Sequence, residues 1–219
     1  MQKSPLIIFV HGLTGSKDEI IYVYGEEFFQ SKGYDTYRFN LYGTAPWEKK
    51  LSEVSLKDHV FDVSQTVSDF VEKGYEKIYL VGHSFWGLTI LYSDLTYVSA
   101  LVLRDSSIGG NELLTDTYQD ENSLYIDWWD GIRYPISQEM YNDFMISPEE
   151  HKNQISKLNL PIKIITAEFW LPIVAKELFD SANEQKSFSL IKNASHTFLE
   201  EWVKEVLFEE TFNFLNMLK

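Results

Sequence analysis

Short apolar runs alternate with longer segments of helical spacing along this chain of 219 residues. The apolar runs are strand-length and rich in residues that suit a sheet, and they lie at 6–10, 36–41, 77–81, 100–104, 162–166 and 187–191. Helical spacing covers 18–32, 55–73, 88–95, 173–182 and 197–218. Strands that alternate with helices need crossover connections, and these connections favour parallel pairing. The pattern predicts an α/β fold in which a mostly parallel central sheet of about six strands has helices on both faces.

The chain is long enough to bury one sizeable core, and 44% of its residues are hydrophobic. No internal repeat or Pro/Gly/Ser-rich linker marks a second domain, so we predict a single domain over residues 1–219. The one break in composition is the polar segment 109–150, which is dotted with aromatic residues and lies between the fourth and fifth predicted strands. We predict that this segment forms a short cap insert within the domain.

The formal net charge of -14 disfavours polyanionic partners, and no run of Lys or Arg forms a stripe that could follow phosphates. We therefore expect no nucleic-acid partner and no anionic membrane surface. The sequence contains no cysteine, which excludes disulfides, thiolate metal sites and a cysteine nucleophile. No N-terminal stretch has the length or hydropathy of a signal peptide, and the cytoplasm is the expected location.

The segment 77–91 predicts a buried strand, a tight turn that carries Ser84, and a helix that begins at once. This layout is typical of a nucleophile elbow with the pattern Gly-x-Ser-x-Gly, in which a strained turn exposes the serine hydroxyl. Gly82 and Ser84 fit the pattern, but Trp86 occupies the position of the second glycine. A serine before a helix is also a common N-cap, although the strand-turn-helix context favours the nucleophile.

A serine nucleophile needs a base that takes its proton, and that base is most often histidine. Of the five histidines, His196 follows the last predicted strand, whereas His83 is next to Ser84 and its side chain points to the other side of an extended strand. An isolated loop histidine such as His196 is more often a surface residue. Its place after a strand end, together with the Ser84 elbow, favours the role of general base.

Acyl transfer also requires N–H donors that stabilise the oxyanion. The backbone N–H of Phe85, directly after the serine, is one candidate donor, and the N–H of Leu13 in the turn His11-Gly12-Leu13 is the other. The glycine-containing turn after the first strand has a simpler interpretation, as a flexible exit from the sheet. Its combination with Ser84 favours an oxyanion hole.

On these motifs, in the order His11-Gly12, Gly82-His83-Ser84 and Ala194-Ser195-His196, the chain resembles the α/β-hydrolases, and the small esterases and acyl hydrolases in particular. The resemblance runs over nearly the whole length. It implies hydrolysis of a carboxylic ester, thioester or amide through an acyl-serine intermediate, without a metal or an organic cofactor.

The resemblance also implies a catalytic acid a few residues after the strand 162–166, and Trp170 occupies that position. Two tryptophans, Trp86 and Trp170, thus replace residues that define the site in this family. Without an acid, His196 would lose its orienting partner, and activity would be impaired. Glu168, in the same loop, and Asp105, at the end of the preceding strand, are candidate substitute acids; a carboxylate at such a position is more often an ordinary solvated or capping group.

Aromatic residues of the predicted cap, including Trp128, Trp129 and Tyr134, could line a pocket for an apolar acyl or aryl group. They could equally bury the cap against the body of the domain. The first hypothesis is a serine hydrolase that cleaves small to medium apolar carboxylic esters. The second is a silenced or deliberately altered hydrolase fold that binds a small apolar ligand, with Trp86 and Trp170 forming walls of the former pocket.

Overall fold

A computed structural model of the chain describes residues 3–106, 117–119, 124–127 and 131–218, and at residues 86 and 117–119 it describes the backbone alone. Strands β1 to β9 are Leu6–Val10, Asp35–Arg38, Ile78–His83, Val98–Arg104, Thr117–Gln119, Leu124–Asp127, Arg133–Ile136, Ile162–Ala167 and Lys186–Ile191. Helices α1 to α8 are Ile20–Ser31, Leu56–Glu72, Ser84–Gly87, Thr89–Tyr92, Gln138–Phe144, Pro148–Ile155, Pro172–Ser181 and Val203–Asn216. A 3₁₀ turn covers Leu51–Glu53.

Six strands form the central sheet, in the order β2-β1-β3-β4-β8-β9, and every pairing between neighbours is parallel. They correspond to the six apolar runs of the sequence, so the predicted sheet is confirmed. Because the interior strands β1 and β3 are buried on both faces, they are almost continuously apolar. The carboxyl ends of all six strands lie at one edge of the sheet.

Helices cover both faces of this sheet, as predicted. Alternate residues of β1 point to opposite faces: Ile8 belongs to one buried cluster and Phe9 to the other. The cluster around Ile8 includes buried residues of α2, α4 and α7, and the cluster around Phe9 includes residues of α1 and α8. The two clusters hold the crossover helices in place, so the loops at the carboxyl edge extend from a rigid body.

Two predicted helices differ from the observed ones. The segment 88–95 forms only the short helix α4, which a turn at Leu88 separates from α3 and which ends at Ser93 with extended backbone. The last helix begins at Val203 rather than near residue 197, because the residues before it turn with positive φ angles at Phe198 (53°) and Trp202 (65°). This turn leaves residues 195–202 free to follow the carboxyl edge of the sheet.

The segment between β4 and β8 contains a small antiparallel sheet, in the order β5-β6-β7, followed by α5. It is attached to the body through hydrogen bonds at both ends of α5. The Ser137 hydroxyl donates to the Val54 carbonyl at 2.7 Å, and the Leu56 N–H donates to the Asp143 carboxylate at 2.6 Å. The ring of Phe144 lies 4.7 Å from that of Phe85, so α5 packs directly beside the Ser84 turn.

Candidate active site

The parallel register places two of the predicted site residues side by side. His83 is the last residue of β3 and pairs with Arg104, the last residue of β4. The next residues along the two strands are Ser84 and Asp105. Because neighbouring strands lie about 4.8 Å apart, the two side chains leave the sheet within reach of a single bridging group.

Ser84 lies at a strained turn between β3 and α3. Its φ angle is 59°, in the left-handed region that non-glycine residues rarely adopt. Such a conformation costs on the order of 1 kcal/mol and is typical of a functional turn. Helix α3 begins at Ser84 itself, and the serine hydroxyl contacts His196. The geometry matches the predicted nucleophile elbow, and Ser84 does not occupy an N-cap position before the helix.

His196 bridges Ser84 and Asp105. Its Nε2 lies 2.8 Å from Ser84 Oγ, and its Nδ1 lies 2.6 Å from Asp105 Oδ2. An ionised carboxylate can only accept hydrogen bonds, so the Nδ1–H of the neutral imidazole donates to Asp105. Nε2 then carries the lone pair and accepts the hydroxyl proton of Ser84. This tautomer is the one that a general base needs.

Asp105 is held rigidly at the end of β4. Its side chain is buried, and its Oδ1 accepts hydrogen bonds from the Thr166 hydroxyl and the Ala167 N–H, both at 3.0 Å. Its own N–H donates to the Ile165 carbonyl at 2.7 Å, and its φ angle is 50°. The end of β8 thus fixes one oxygen of Asp105 and leaves the other for His196.

The carboxylate of Glu168 is bonded to the loop that follows β9. Its carboxylate accepts from the Asn193 N–H at 2.8 Å and from Lys192 Nζ at 2.7 Å, and these hydrogen bonds lower the pKa of Glu168. Of the two candidate substitute acids, it is Asp105 that lies against His196, so the tryptophan at position 170 does not leave the imidazole without a carboxylate partner. Trp170 itself lies against the imidazole of His196, with 4.3 Å between the ring centroids.

The turn after β1 packs against the serine. A Cβ atom built at Gly12 would lie 2.8 Å from the Cβ of Ser84, so only glycine allows this approach. The Gly12 carbonyl accepts hydrogen bonds from His11 Nδ1 at 2.8 Å and from the Tyr42 hydroxyl at 3.3 Å. Because a trans peptide directs its C=O and N–H oppositely, the Leu13 N–H points away from His11 and Tyr42. The Phe85 N–H lies in the first turn of α3, directly after Ser84.

Gly87, one position after Trp86, makes a close approach at the elbow. A Cβ atom built at Gly87 would lie 2.3 Å from Ser106 Oγ and 3.0 Å from the carbonyl carbon of Gly82. The close approach of α3 to β3 and β4 therefore depends on Gly87, whereas the sequence pattern placed the requirement at Trp86. The side chain of Trp86 lies outside the described residues. Its backbone continues α3 without interruption.

Supporting contacts around His196 were missed by sequence reasoning. His83, whose side chain was predicted to point away from Ser84, donates from Nε2 to the His196 carbonyl at 2.8 Å. Its ring lies 4.8 Å from that of His196, and burial lowers the pKa of His83 well below its usual range. Thr166, which orients Asp105, was also missed. No spacing in the sequence signals these contacts, because they join the ends of different strands to residues far away in the chain.

His11, a second structural histidine, makes the fold sensitive to acid. Its Nε2 accepts from the Leu41 N–H at 3.0 Å, and burial lowers the pKa of His11 from 6.5 to about 4. Burial also lowers the pKa of His151 to about 4 and that of His59 to about 3. The unfolded chain binds these protons between pH 6.5 and 4, whereas the folded chain does not.

We therefore expect the free energy of unfolding to be highest above pH 6.5 and to fall as the pH decreases towards 4. A histidine with this shift contributes about 3 kcal/mol over the full window. Urea denaturation at pH 7.5, 6.0 and 5.0 measures the effect. His151→Gln should reduce the change in the free energy of unfolding between these pH values. Equal stability at pH 7.5 and 5.0 would contradict the burial of neutral histidines.

An open cavity of about 980 Å³ extends from the loop that follows Leu13. Its lining includes Thr14, Ser16, Tyr134 of β7 and Trp47, and Trp47 is 85% exposed. The predicted pocket residue Tyr134 thus lines a cavity that adjoins the loop after β1, and Ser84, His196 and Asp105 are not among the lining residues. Trp128 and Trp129, predicted for the same pocket, lie outside the described residues.

The comparison with protein families agrees with this architecture. Residues 5–197 match the model of the alpha/beta hydrolase fold, and the chain belongs to this family. The mostly parallel six-stranded sheet with helices on both faces agrees with the fold that the resemblance in the sequence implied.

Several solved structures are similar to this chain over nearly its whole length. Est1E from Butyrivibrio proteoclasticus, with ferulic acid bound, is 21% identical with a TM-score of 0.78, over 99% of this chain and 90% of that one. A monoacylglycerol lipase from Paleococcus ferrophilus is 16% identical with a TM-score of 0.71, over 100% of this chain and 97% of that one. At these identities the likeness shows the fold alone. No curated protein sequence matches the chain.

Helices of the described segments are too short or too polar to cross a bilayer. The longest, α2, has 17 residues and carries charged side chains along its length. This finding concerns only the part of the chain that the structure describes.

Proposed function

We propose that this protein is a carboxylic-ester hydrolase that acts on small to medium apolar esters through an acyl-serine intermediate. The observation that carries the proposal is the continuous chain of hydrogen bonds from Ser84 through His196 to Asp105. Each member has the donor or acceptor state that general-base catalysis requires. The structural likeness to esterases and lipases supports the same reaction class.

In the first half of the reaction, Ser84 Oγ attacks the carbonyl carbon of the ester while its proton moves to His196 Nε2. Asp105 stabilises the imidazolium that results, without taking the proton itself. The carbonyl oxygen becomes an oxyanion, which the N–H groups of Leu13 and Phe85 stabilise. The tetrahedral intermediate then collapses, and the alkoxide leaves with the proton that His196 held.

In the second half, a water molecule attacks the acyl-serine ester, and His196 takes a proton from that water. The second tetrahedral intermediate expels Ser84 Oγ, which recovers a proton from His196, and the carboxylic acid is released. The cycle restores the starting protonation of all three residues. It requires no cofactor.

The substrate preference follows from the surroundings of the site. The net charge of -14 disfavours strongly anionic substrates, and the cavity beside the oxyanion loop offers aromatic surface from Trp47 and Tyr134. We place the larger substituent of the ester in this cavity. A small apolar ester is the partner expected, in place of nucleic acid or a lipid surface.

Stopped-flow hydrolysis of 4-nitrophenyl acetate, butyrate and octanoate tests the proposal. We expect a burst of one 4-nitrophenolate per chain for at least one ester, followed by slower turnover, because acylation and deacylation are separate steps. Heat-denatured protein at the same concentration is the control. Release at the control rate with all three esters would contradict ester hydrolysis.

A further inference from the structure

The imidazole of His196 has a stacked aromatic neighbour at the position where the sequence led us to expect an acid. The indole of Trp170 lies 4.3 Å from the imidazole, measured between ring centroids, and the two planes differ by 26°. The ring of His83 is a further neighbour of His196, at 4.8 Å and 30°. The histidine of the site is thus covered by aromatic surface while its two nitrogens engage Ser84 and Asp105.

The loop that carries Trp170 is fastened to the loop that carries His196. The Glu168 N–H donates to the Ile191 carbonyl at 3.1 Å, and the Phe169 N–H donates to the Ala194 carbonyl at 3.0 Å. The Glu168 carboxylate accepts from the Asn193 N–H of the same loop. These three hydrogen bonds fix the two loops relative to each other. The backbone thereby holds Trp170 in its stacked position on His196.

Stacking on an indole has a specific consequence for a general base. His196 is neutral before the reaction and becomes an imidazolium while Ser84 attacks. The face of an indole carries negative electrostatic potential, which attracts a cation placed over it, and the attraction grows where water is excluded. The His196 side chain is only 13% exposed. Trp170 therefore interacts more favourably with His196 in the transition state than in the resting enzyme.

We propose that Trp170 is a positioning residue that holds the imidazole of His196 in place and stabilises its protonated form during catalysis. The proposal rests on the function proposed above. An interaction that strengthens only as charge develops raises kcat and leaves KM nearly unchanged. The residue that replaces the expected acid would then assist the histidine through its π face, while Asp105 supplies the carboxylate.

The test is a matched pair of variants, Trp170→Phe and Trp170→Leu. Both side chains fill part of the indole's space with apolar atoms, but only Phe offers a π face to His196. We expect Trp170→Leu to lower kcat about tenfold with KM changed by less than about twofold, and Trp170→Phe to retain most of kcat. Phe169→Ala is the control, because Phe169 is 65% exposed and precedes Trp170 in the same loop.

Equal kcat for Trp170→Leu and Trp170→Phe, at equal thermal stability, would overturn the proposal. Loss of kcat in both variants together with a lower Tm would overturn it too, because it would indicate a merely structural role. Labelling of Ser84 with a fluorophosphonate in each variant separates the two proposals. If the unaltered chain neither hydrolyses esters nor takes the label, the proposed function fails; if it does both and the pair is equal, only the role of Trp170 fails.

Discussion

Asp105→Asn should lower kcat for ester hydrolysis by about 10⁴, the loss that the same substitution causes in a serine protease. The amide can still accept from Thr166 and Ala167 through its oxygen. Its NH₂ group then faces His196 Nδ1, where it donates rather than accepts. The imidazole consequently carries its proton on Nε2 and cannot accept the proton of Ser84. Activity is lost although the fold is retained.

The matched control for this prediction is Glu168→Gln. Glu168 carries a carboxylate two residues before Trp170, in the loop where the resemblance implied the acid, but its hydrogen bonds go to Lys192 and Asn193. We expect kcat within about threefold of the unaltered chain, because the Gln side-chain oxygen still accepts from the Asn193 N–H and the lost surface ion pair with Lys192 contributes little. Steady-state kinetics on one 4-nitrophenyl ester compares the two variants. A large loss in Glu168→Gln with little loss in Asp105→Asn would show that the catalytic acid is Glu168 and not Asp105.

Ser84→Ala should reduce hydrolysis by at least about 10⁴, because the covalent intermediate can no longer form. Residual activity would come from the oxyanion donors and from substrate binding, which the substitution leaves in place. The burst of 4-nitrophenolate should disappear completely. Ser156→Ala, at a half-buried serine whose hydroxyl donates to the Asn153 carbonyl, is the control and should behave like the unaltered chain. A variant at Ser84 that keeps more than a few per cent of the activity would exclude the acyl-serine route.

Much of the fold and part of the site could be predicted from local sequence. The six apolar runs became the six parallel strands, since strand length, residue type and turn signals are encoded within a few neighbouring residues. The elbow at Ser84 was also predictable, because a buried strand and a helix with no loop between them leave only a sharp turn. The φ angle of 59° at Ser84 agrees with that expectation.

The choice between Asp105 and Glu168 could not be predicted from local sequence. It depends on the register of β4 with β3 and β8, which places Asp105 beside Ser84 and under the end of β8. It also depends on the hydrogen bonds that commit Glu168 to the loop after β9. Both are consequences of tertiary packing between residues far apart in the chain. The stacking of Trp170 on His196 could not be predicted from local sequence for the same reason.

The hypothesis of a silenced, ligand-binding fold depended on the absence of an acid at Trp170. With Asp105 bonded to His196, that argument no longer favours it. Conversion of Trp170 to aspartate is consequently expected to bring no gain in activity, because His196 Nδ1 is already engaged and the indole stack would be lost.

The central claim is that Ser84 is a nucleophile activated by His196 and Asp105, and covalent labelling tests it most directly. The chain is treated with a fluorophosphonate at neutral pH, and peptide mass spectrometry locates the adduct. We predict one phosphonyl group per chain, bound to Ser84, with labelling slowed strongly in Asp105→Asn. An unlabelled chain, or an adduct on another residue, would contradict the account.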